Sequence, residues 1–312
     1  MSINVFLSNR IPEDKSNILT IISFQDEVNY NNNIINSGLL SLNSKNLYEI
    51  WKVNEKVNLE KFNEIQISQS DNYMFGFSVI KKIGSYEEIK TNIAKQYNDF
   101  FEASKQRKMK VLKIWHYFPK LLDRYDNKKT NYSLLCEARE SVYKSIYKNC
   151  NYPAATVIGI KGENILIYFF SAACENYKAI ENTRQVSSYN YPMNIFLEKP
   201  MFSRAVSFTP KDSMKNNILI SGTASIKGYE SMHSKNILRQ LDETLENYNT
   251  FFDYKKNLSN IARVYMPDTN DNNVQLVLSL LNKKFGKNNY ALLEGDICRP
   301  ELLIEIEGMI SV

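Results

Sequence analysis

Short apolar runs along the chain alternate with stretches in which apolar residues recur at helical spacing. The first pattern is typical of strands and the second of amphipathic helices. Strands are predicted at residues 3–8, 17–24, 73–81, 110–117, 155–160, 165–170, 203–208, 217–221, 262–266, 290–297 and 302–307. Helices are predicted after Ser85, where Glu88 completes a capping box, and at about residues 131–148, 234–254 and 273–284. Residues 26–44 are polar and rich in Asn, which predicts a loop or an excursion.

From residue 73 onward the predicted elements follow one order twice: strands, helix, strand, helix and two strands. We infer an α+β fold in which one chain carries two copies of a unit, with mixed sheets packed against helices. The predicted domains are residues 1–175 and 176–312, with sheets that meet at a shared core and a pocket between the halves. Within the first unit, residues 161–164 have a turn composition that predicts a hairpin.

The closing stretch, residues 296–308, has the clearest chemical pattern. Leu302, Ile304 and Ile306 fall on one face of the predicted strand, and Glu305 and Glu307 on the other. Aliphatic neighbours would desolvate Glu305, and desolvation raises the pKa of a carboxyl group, as a general acid requires. The alternative is an ordinary edge strand with two solvated glutamates.

Arginines interrupt two apolar patterns elsewhere. Tyr132, Cys136 and Arg139 share one helical face by their spacing, and Arg204 lies within an apolar strand. A buried arginine requires an anion, which is either a protein carboxylate or a ligand.

Two further stretches are candidates for a binding site. Residues 181–192 are polar and aromatic, and include Tyr191; the alternative is an exposed linker. Residues 221–228 are small, and Gly222 and Ala224 would let a ligand approach closely, although a tight turn is equally consistent. Together these stretches suit a small dianion.

Composition excludes several other classes of protein. The chain is 43% hydrophobic and 23% charged, and its net charge of +5 is spread without a dense basic block, so nucleic-acid binding is not expected. Its four cysteines lack C-x-x-C spacing and its two histidines are far apart, which argues against zinc and against a disulfide framework. His116 is predicted to be structural. No run of about 18 apolar residues predicts a membrane span, and we expect a cytoplasmic protein.

An ordered series of motifs resembles the chorismatases over about residues 110–312. The motifs are Lys-Ile-Trp-His-Tyr-Phe-Pro at 113–119, Pro-Ala-Ala-Thr at 153–156, Asn-Thr-Arg-Gln-Val at 182–186, Tyr-Asn-Tyr-Pro at 189–192, Phe-Ser-Arg-Ala at 202–205, Ile-Ser-Gly-Thr-Ala-Ser-Ile at 220–226, Asp-Ile-Cys-Arg at 296–299 and Leu-Leu-Ile-Glu-Ile-Glu at 302–307. The C-terminal half also resembles a RidA (YjgF-type) domain, with Gln240, Asn247 and the closing Glu-Ile-Glu. The resemblance implies two RidA-like domains, of which the N-terminal one is divergent.

The resemblance also implies a substrate and the roles of individual residues. Chorismate would be the substrate and pyruvate a product, with no metal or redox cofactor. Independently of the resemblance, we expect a monomer or weak oligomer. Glu305 matches the catalytic glutamate, which would protonate the enol ether. Arg139 and Arg204 match positions that bind carboxylates. The remaining matched residues, which would shape the pocket, are Tyr132, Tyr191, Gly222 and Ala224.

The resemblance leaves three functions open. Cys298 matches the family branch that rearranges the ring to 3-hydroxybenzoate, and this is the function we expect. The second is the hydrolase branch, which gives a dihydroxycyclohexadienoate. The third is a RidA-like protein that binds small carboxylates without catalysis. The chain departs from the family pattern at Tyr229, at Met266-Pro267 and at Gly295.

Overall fold

The structure is a computed structural model that describes residues 3–125, 129–192, 199–211, 213–252 and 259–311. A five-stranded sheet at the N-terminus has the strand order β1-β5-β2-β4-β3. Its strands are β1 (Asn4–Ser8), β2 (Ile18–Ser23), β3 (Val28–Asn31), β4 (Ile34–Ser37) and β5 (Tyr48–Lys52). Strands β3 and β4 lie in the segment that we predicted to be a loop or an excursion, so the prediction of a loop is wrong. β3 is an Asn-rich edge strand and β4 beside it is only four residues long, so neither has enough apolar residues to be recognised.

The second and third sheets have six strands each and the same topology. The second, with order β10-β9-β11-β8-β7-β6, contains β6 (Asn58–Phe62), β7 (Ile65–Gln69), β8 (Tyr73–Lys81), β9 (Lys110–Pro119), β10 (Ala154–Ile160) and β11 (Asn164–Ala172). The third, with order β12-β13-β14-β19-β17-β18, contains β12 (Cys174–Ile180), β13 (Ala205–Pro210), β14 (Asn217–Ala224), β17 (Ser259–Met266), β18 (Tyr290–Glu294) and β19 (Glu305–Ser311); β15 (Ile226–Lys227) and β16 (Glu230–Ser231) form a short ribbon. The predicted α+β fold with a repeated unit is therefore confirmed.

Four helices among the described residues cover the outer faces of these two sheets. They are α1 (Tyr86–Gln106) and α2 (Asn131–Ile146) on the second sheet, and α3 (Ile237–Tyr248) and α4 (Asp271–Phe285) on the third. The capping box of Ser85 and Glu88 is present at α1. Helix α3 ends before a 3-10 turn at Asn249–Phe251, and its predicted end at residue 254 lies outside the described residues. None of the helices in the described ranges is long and apolar enough to cross a bilayer.

The inner faces of the three sheets meet in one apolar core. Trp51 from the first sheet packs edge-on against Trp115 from the second, at 5.9 Å between ring centroids, and Val206, Leu219 and Met309 of the third sheet belong to the same cluster. The shared core predicted from the sequence is present. The second sheet ends at Ala172 and the third begins at Cys174. The division at residues 175 and 176 stays a prediction.

Two strand assignments from the sequence are wrong. Strands β10 and β11 are not a hairpin, because β9 lies between them and pairs in parallel with β10. The final strand begins at Glu305 and not at residue 302, and it is central, between β14 and β17, so both glutamates are buried. The two short runs at 155–160 and 165–170 resemble a hairpin because a parallel crossover through α2 leaves no mark on the strands themselves.

Main-chain hydrogen bonds also join the two units directly. Gly159 of β10 and Asp296 exchange N–H···O bonds of 2.8 and 3.0 Å. This close approach accounts for Gly295, where an added Cβ would lie 2.5 Å from Cγ2 of Ile158.

Candidate functional site

A cavity of about 260 Å³ lies between the two units. It is lined by β10 and α2 from the first unit, and by β14, β19 and their flanking loops from the second. The lining residues are Thr130, Tyr132, Ser133, Arg139, Ala155, Thr156, Val157, Tyr191, Pro200, Phe202, Arg204, Gly222, Ala224, Ile226, Cys298, Arg299 and Glu305. All eight residues singled out from the sequence are among them, although they come from segments far apart along the chain.

Glu305 is the first residue of β19 and is 5% exposed. It pairs in register with Ala224 of β14. Its carboxyl group accepts no hydrogen bond from the described residues and faces the cavity. Burial, and after it the negative charge of Glu307, raise the pKa of Glu305 to about 8 against the opposing charges of Lys113 and Arg204. The group is therefore a protonated acid at neutral pH.

The backbone opposite Glu305 is shaped to make room for its carboxyl group. The pairing of β14 with β19 shifts register between Ile220 and Thr223, a bulge that places Gly222 against Glu305. A Cβ at Gly222 would lie 2.0 Å from Oε1 of Glu305, so any side chain there would displace the carboxyl group. The Ser221 hydroxyl fixes the bulge by donating to the Ser203 carbonyl at 2.6 Å.

Arg139, on α2, is fully buried with most of its donors unused. Its Nη2 lies 3.8 Å from Sγ of Cys136, and neither Nε nor Nη1 has a partner. No carboxylate forms an ion pair with it in the described part of the chain. Leaving a buried guanidinium without an anion is costly, and the open donors lie at the cavity. The half-buried phenol of Tyr132 lies on the same helix and lines the same space.

Arg204 comes just before β13 and is 3% exposed. Its Nη2 donates to the Val186 carbonyl at 2.9 Å and to the Tyr191 hydroxyl at 2.7 Å, whereas its Nε has no partner. The guanidinium lies over the rings of Tyr191 and Phe202, at 5.7 and 5.1 Å from their centroids. These contacts hold Arg204 in place and leave donor capacity for an anion in the cavity.

Cys298 lies in the loop between β18 and β19. It packs against a small cluster formed by Ala224, Ile226, Ile297 and Leu302. Burial is the main reason why the pKa of the Cys298 thiol is raised to about 12, with a smaller contribution from Glu305 and an opposing one from Arg299. The side chain is therefore a neutral, polarisable thiol. It can donate a proton but is not a thiolate nucleophile.

The sequence did not single out several lining residues. Thr156 and Phe202 lie within motifs that carry the resemblance. Neither residue is charged, so neither interrupts an apolar pattern in the way that Arg139 and Arg204 do. Arg299 donates through Nη1 to the Tyr229 carbonyl at 2.9 Å and to the Ser231 hydroxyl at 3.0 Å, which ties the β15–β16 ribbon to the cavity wall. Because Arg299 contacts Tyr229 through its main-chain carbonyl, this contact does not depend on which side chain stands at position 229.

His116 is fully buried, as expected of a structural residue. Its ring nitrogens lie 2.5 Å from the Tyr97 hydroxyl and 2.9 Å from the Thr156 carbonyl, and burial lowers its pKa to about 3. The imidazole is neutral and does not line the cavity. Within the described ranges, no group of three or more His, Cys, Asp and Glu side chains could hold a metal ion.

Comparisons with known proteins agree on one family. Residues 49–171 match the model of the N-terminal domain of FkbO/Hyg5-like chorismatases. A 3-hydroxybenzoate synthase of Streptomyces hygroscopicus is 26% identical over 280 residues, which is 84% of this chain and 81% of that protein. A chorismatase of Streptomyces rapamycinicus is 28% identical over 173 residues, which cover 51% of this chain and 51% of that protein.

A solved structure extends the comparison to the fold. A crystal structure of a chorismatase at 1.08 Å resolution superposes with a TM-score of 0.84 at 21% identity, and covers 99% of this chain and 98% of the other. The resemblance to the chorismatases found in the sequence is therefore confirmed.

Proposed function

We propose that this protein, which resembles the chorismatases in sequence and shares their fold, cleaves chorismate into pyruvate and 3-hydroxybenzoate. The proposal is carried by one observation: a buried carboxyl group without a hydrogen-bond partner faces a cavity that also holds two arginines with open donors. Chorismate carries two carboxylates and an uncharged enol ether, so it complements this pattern of charge. Arg139 and Arg204 would each bind a carboxylate.

Glu305 would start the reaction as a general acid. Its proton passes to the terminal methylene carbon of the enol ether, which leaves an oxocarbenium-like cation on the neighbouring carbon. The electron pair of the bond between the ring carbon and the ether oxygen then passes to the oxygen, and the side chain departs as pyruvate. The ring cation that remains loses a proton as the ring becomes aromatic, which restores the protonated Glu305. The methylene carbon that accepts the proton is uncharged, so the acid does not need an ionised group beside it. A protonated glutamic acid in a largely apolar wall therefore suits this step.

Two outcomes for the ring differ in the use of water. In the rearrangement, all atoms of chorismate are divided between 3-hydroxybenzoate and pyruvate, and no water is consumed. In the hydrolytic outcome, one water is consumed and the ring keeps its diene. Cys298 favours the first outcome, because a neutral thiol beside the ring can assist a proton shift where an aliphatic side chain cannot.

Incubation of the purified protein with chorismate tests the proposal. We expect pyruvate and 3-hydroxybenzoate in equal amounts, identified by mass spectrometry against standards. The dihydroxycyclohexadienoate in place of the benzoate would assign the hydrolase branch. Tight binding of chorismate without any product would identify a binding protein and overturn the proposal.

The pH dependence of turnover follows from the raised pKa of Glu305. The protonated form is the active one, so kcat should be highest below the pKa and fall as pH rises through about 8. The measurement is kcat on chorismate between neutral and alkaline pH, with the fold checked by circular dichroism at each pH. A kcat that rises through this range would show that Glu305 acts as a base.

Cys298→Ala tests the assignment of the product. Chorismate consumption should stay measurable, while the products shift from 3-hydroxybenzoate towards the hydrated diene or 4-hydroxybenzoate, because the thiol acts after C–O cleavage. The readout is the product ratio by chromatography. Cys174→Ala is the matched control, since Cys174 is also partly buried but lies outside the cavity. An unchanged ratio would mean that Cys298 only fills space.

A further inference from the structure

Glu307 lies two residues beyond Glu305 on β19, so both side chains project from the same face of the strand. Its surroundings are the opposite of those of Glu305, because five donors converge on its carboxylate. The donors are the Lys113 ammonium, the Arg263 guanidinium at 3.4 Å, the Trp115 indole N–H at 2.7 Å, the Thr156 hydroxyl at 2.7 Å and the Tyr265 hydroxyl. Two cations and three neutral donors stabilise the ionised form of this carboxyl group.

The two neighbouring glutamates consequently have opposite protonation states, with Glu305 neutral and Glu307 ionised. Burial alone would raise the pKa of Glu307, but Lys113 and Arg263 hold it below its ordinary range. Burial lowers the pKa of Lys113, and the Glu307 carboxylate opposes this shift. When one carboxyl group of a buried pair is fixed as the anion, its charge disfavours ionisation of the other.

Thr156 adds a second link between the two carboxyl groups. Its hydroxyl donates to Oε2 of Glu307 and accepts from the Gly222 N–H at 3.1 Å. Gly222 lies directly against Glu305, so this N–H would otherwise be a nearby donor that could stabilise ionised Glu305. The ionised Glu307 thus orients Thr156, and Thr156 engages the N–H.

We propose that Glu307 is a positioning residue, whose fixed negative charge keeps the Glu305 carboxyl group protonated and directed into the cavity. The inference rests on the proposed role of Glu305 as the acid. Lys113 from β9 and Arg204 from the segment before β13 oppose the effect of Glu307 on Glu305, and Arg139 from α2 and Arg299 from the loop before β19 line the same cavity. The Cys298 thiol is neutral. Arg263 has a second anion in Glu49 of β5, at 2.5 Å.

Two variants should move the alkaline limb of kcat in opposite directions. Glu307→Gln removes a negative charge, so the midpoint should fall by about one to two pH units. Lys113→Met removes the cation that opposes Glu307, so the midpoint should rise. KM should change little in either variant, because neither residue binds the substrate's carboxylates. A purely structural role would lower kcat at every pH and leave the midpoint in place.

Two further variants serve as controls. Glu307→Asp keeps the charge and should keep the wild-type midpoint even if kcat falls. Glu49→Gln removes a carboxylate from the same buried network but from another sheet, and should also leave the midpoint in place. If Glu307→Gln does not fold, Lys113→Met carries the test, and a midpoint in Lys113→Met that stays at or falls below the wild-type value overturns the proposal.

The ionisation of Glu305 itself separates this inference from the proposed function. The infrared band of its protonated carboxyl group is assigned by its loss in Glu305→Gln and followed against pH without substrate. A titration of Glu305 that is unmoved in Glu307→Gln and Lys113→Met overturns the inference and leaves the role of Glu305 standing. A titration that moves as expected while the kcat profile does not follow it supports the coupling and overturns the role of Glu305 as the acid.

Discussion

Glu305→Gln should lower kcat on chorismate by about 10²–10⁴-fold, the usual loss when a general acid is removed. KM should change little, because glutamine has the shape and neutral charge of the protonated glutamic acid that it replaces. Gly222 leaves space for either side chain. The measurement is a steady-state comparison of the two proteins at neutral pH, with pyruvate release as the signal.

The control for this substitution is Glu175→Gln, an exposed glutamate on β12 of the same sheet. It should retain wild-type kcat and KM. If Glu305→Gln turned over chorismate within a few-fold of the wild-type rate, the proton would have to come from another group, and the proposed mechanism would be wrong.

Arg139→Met should raise KM for chorismate by about 10–150-fold, which corresponds to the loss of a charged hydrogen bond worth about 1.5–3 kcal/mol. The free protein should lose no thermal stability. The guanidinium is fully buried with two nitrogen donors unpaired, so an apolar side chain of similar length removes an unfavourable group. The two readouts together distinguish a ligand-binding arginine from a structural one.

Arg204→Met is the informative comparison. It should also raise KM, but it should lower the melting temperature, because it removes hydrogen bonds to Val186 and Tyr191. Arg10→Met, at an exposed position, should change neither quantity. A loss of stability in Arg139→Met with an unchanged KM would remove Arg139 from the binding site.

Much of the candidate site could be predicted because its residues break apolar patterns. Three charged residues interrupt apolar patterns: Arg139 on a buried helix face, Arg204 in an apolar strand and Glu305 among aliphatic neighbours. Each interruption can be recognised from the sequence alone. The structure places all three on one cavity. The repeated order of elements likewise gave the two units, since strand and helix periodicities are local properties.

Strand order and the difference between the two glutamates could not be predicted in this way. Glu305 and Glu307 have nearly the same local sequence, and what separates them is contributed by Lys113, Thr156 and Arg263, which are distant along the chain. The central position of β19 depends equally on partners far away in sequence. Local pattern therefore identifies which residues are unusual, whereas their protonation states are set by contacts that only the folded chain provides.

The lack of space at Gly222 limits how the sequence can diverge during evolution. A mutation that adds even one carbon at this position collides with Oε1 of Glu305, so the two positions cannot drift independently while activity is under selection. A lineage that acquires a side chain at the position of Gly222 displaces the carboxyl group that we propose as the acid, even if the glutamate itself is retained. Among divergent descendants, the glycine is thus a better mark of a working enzyme than the glutamate alone.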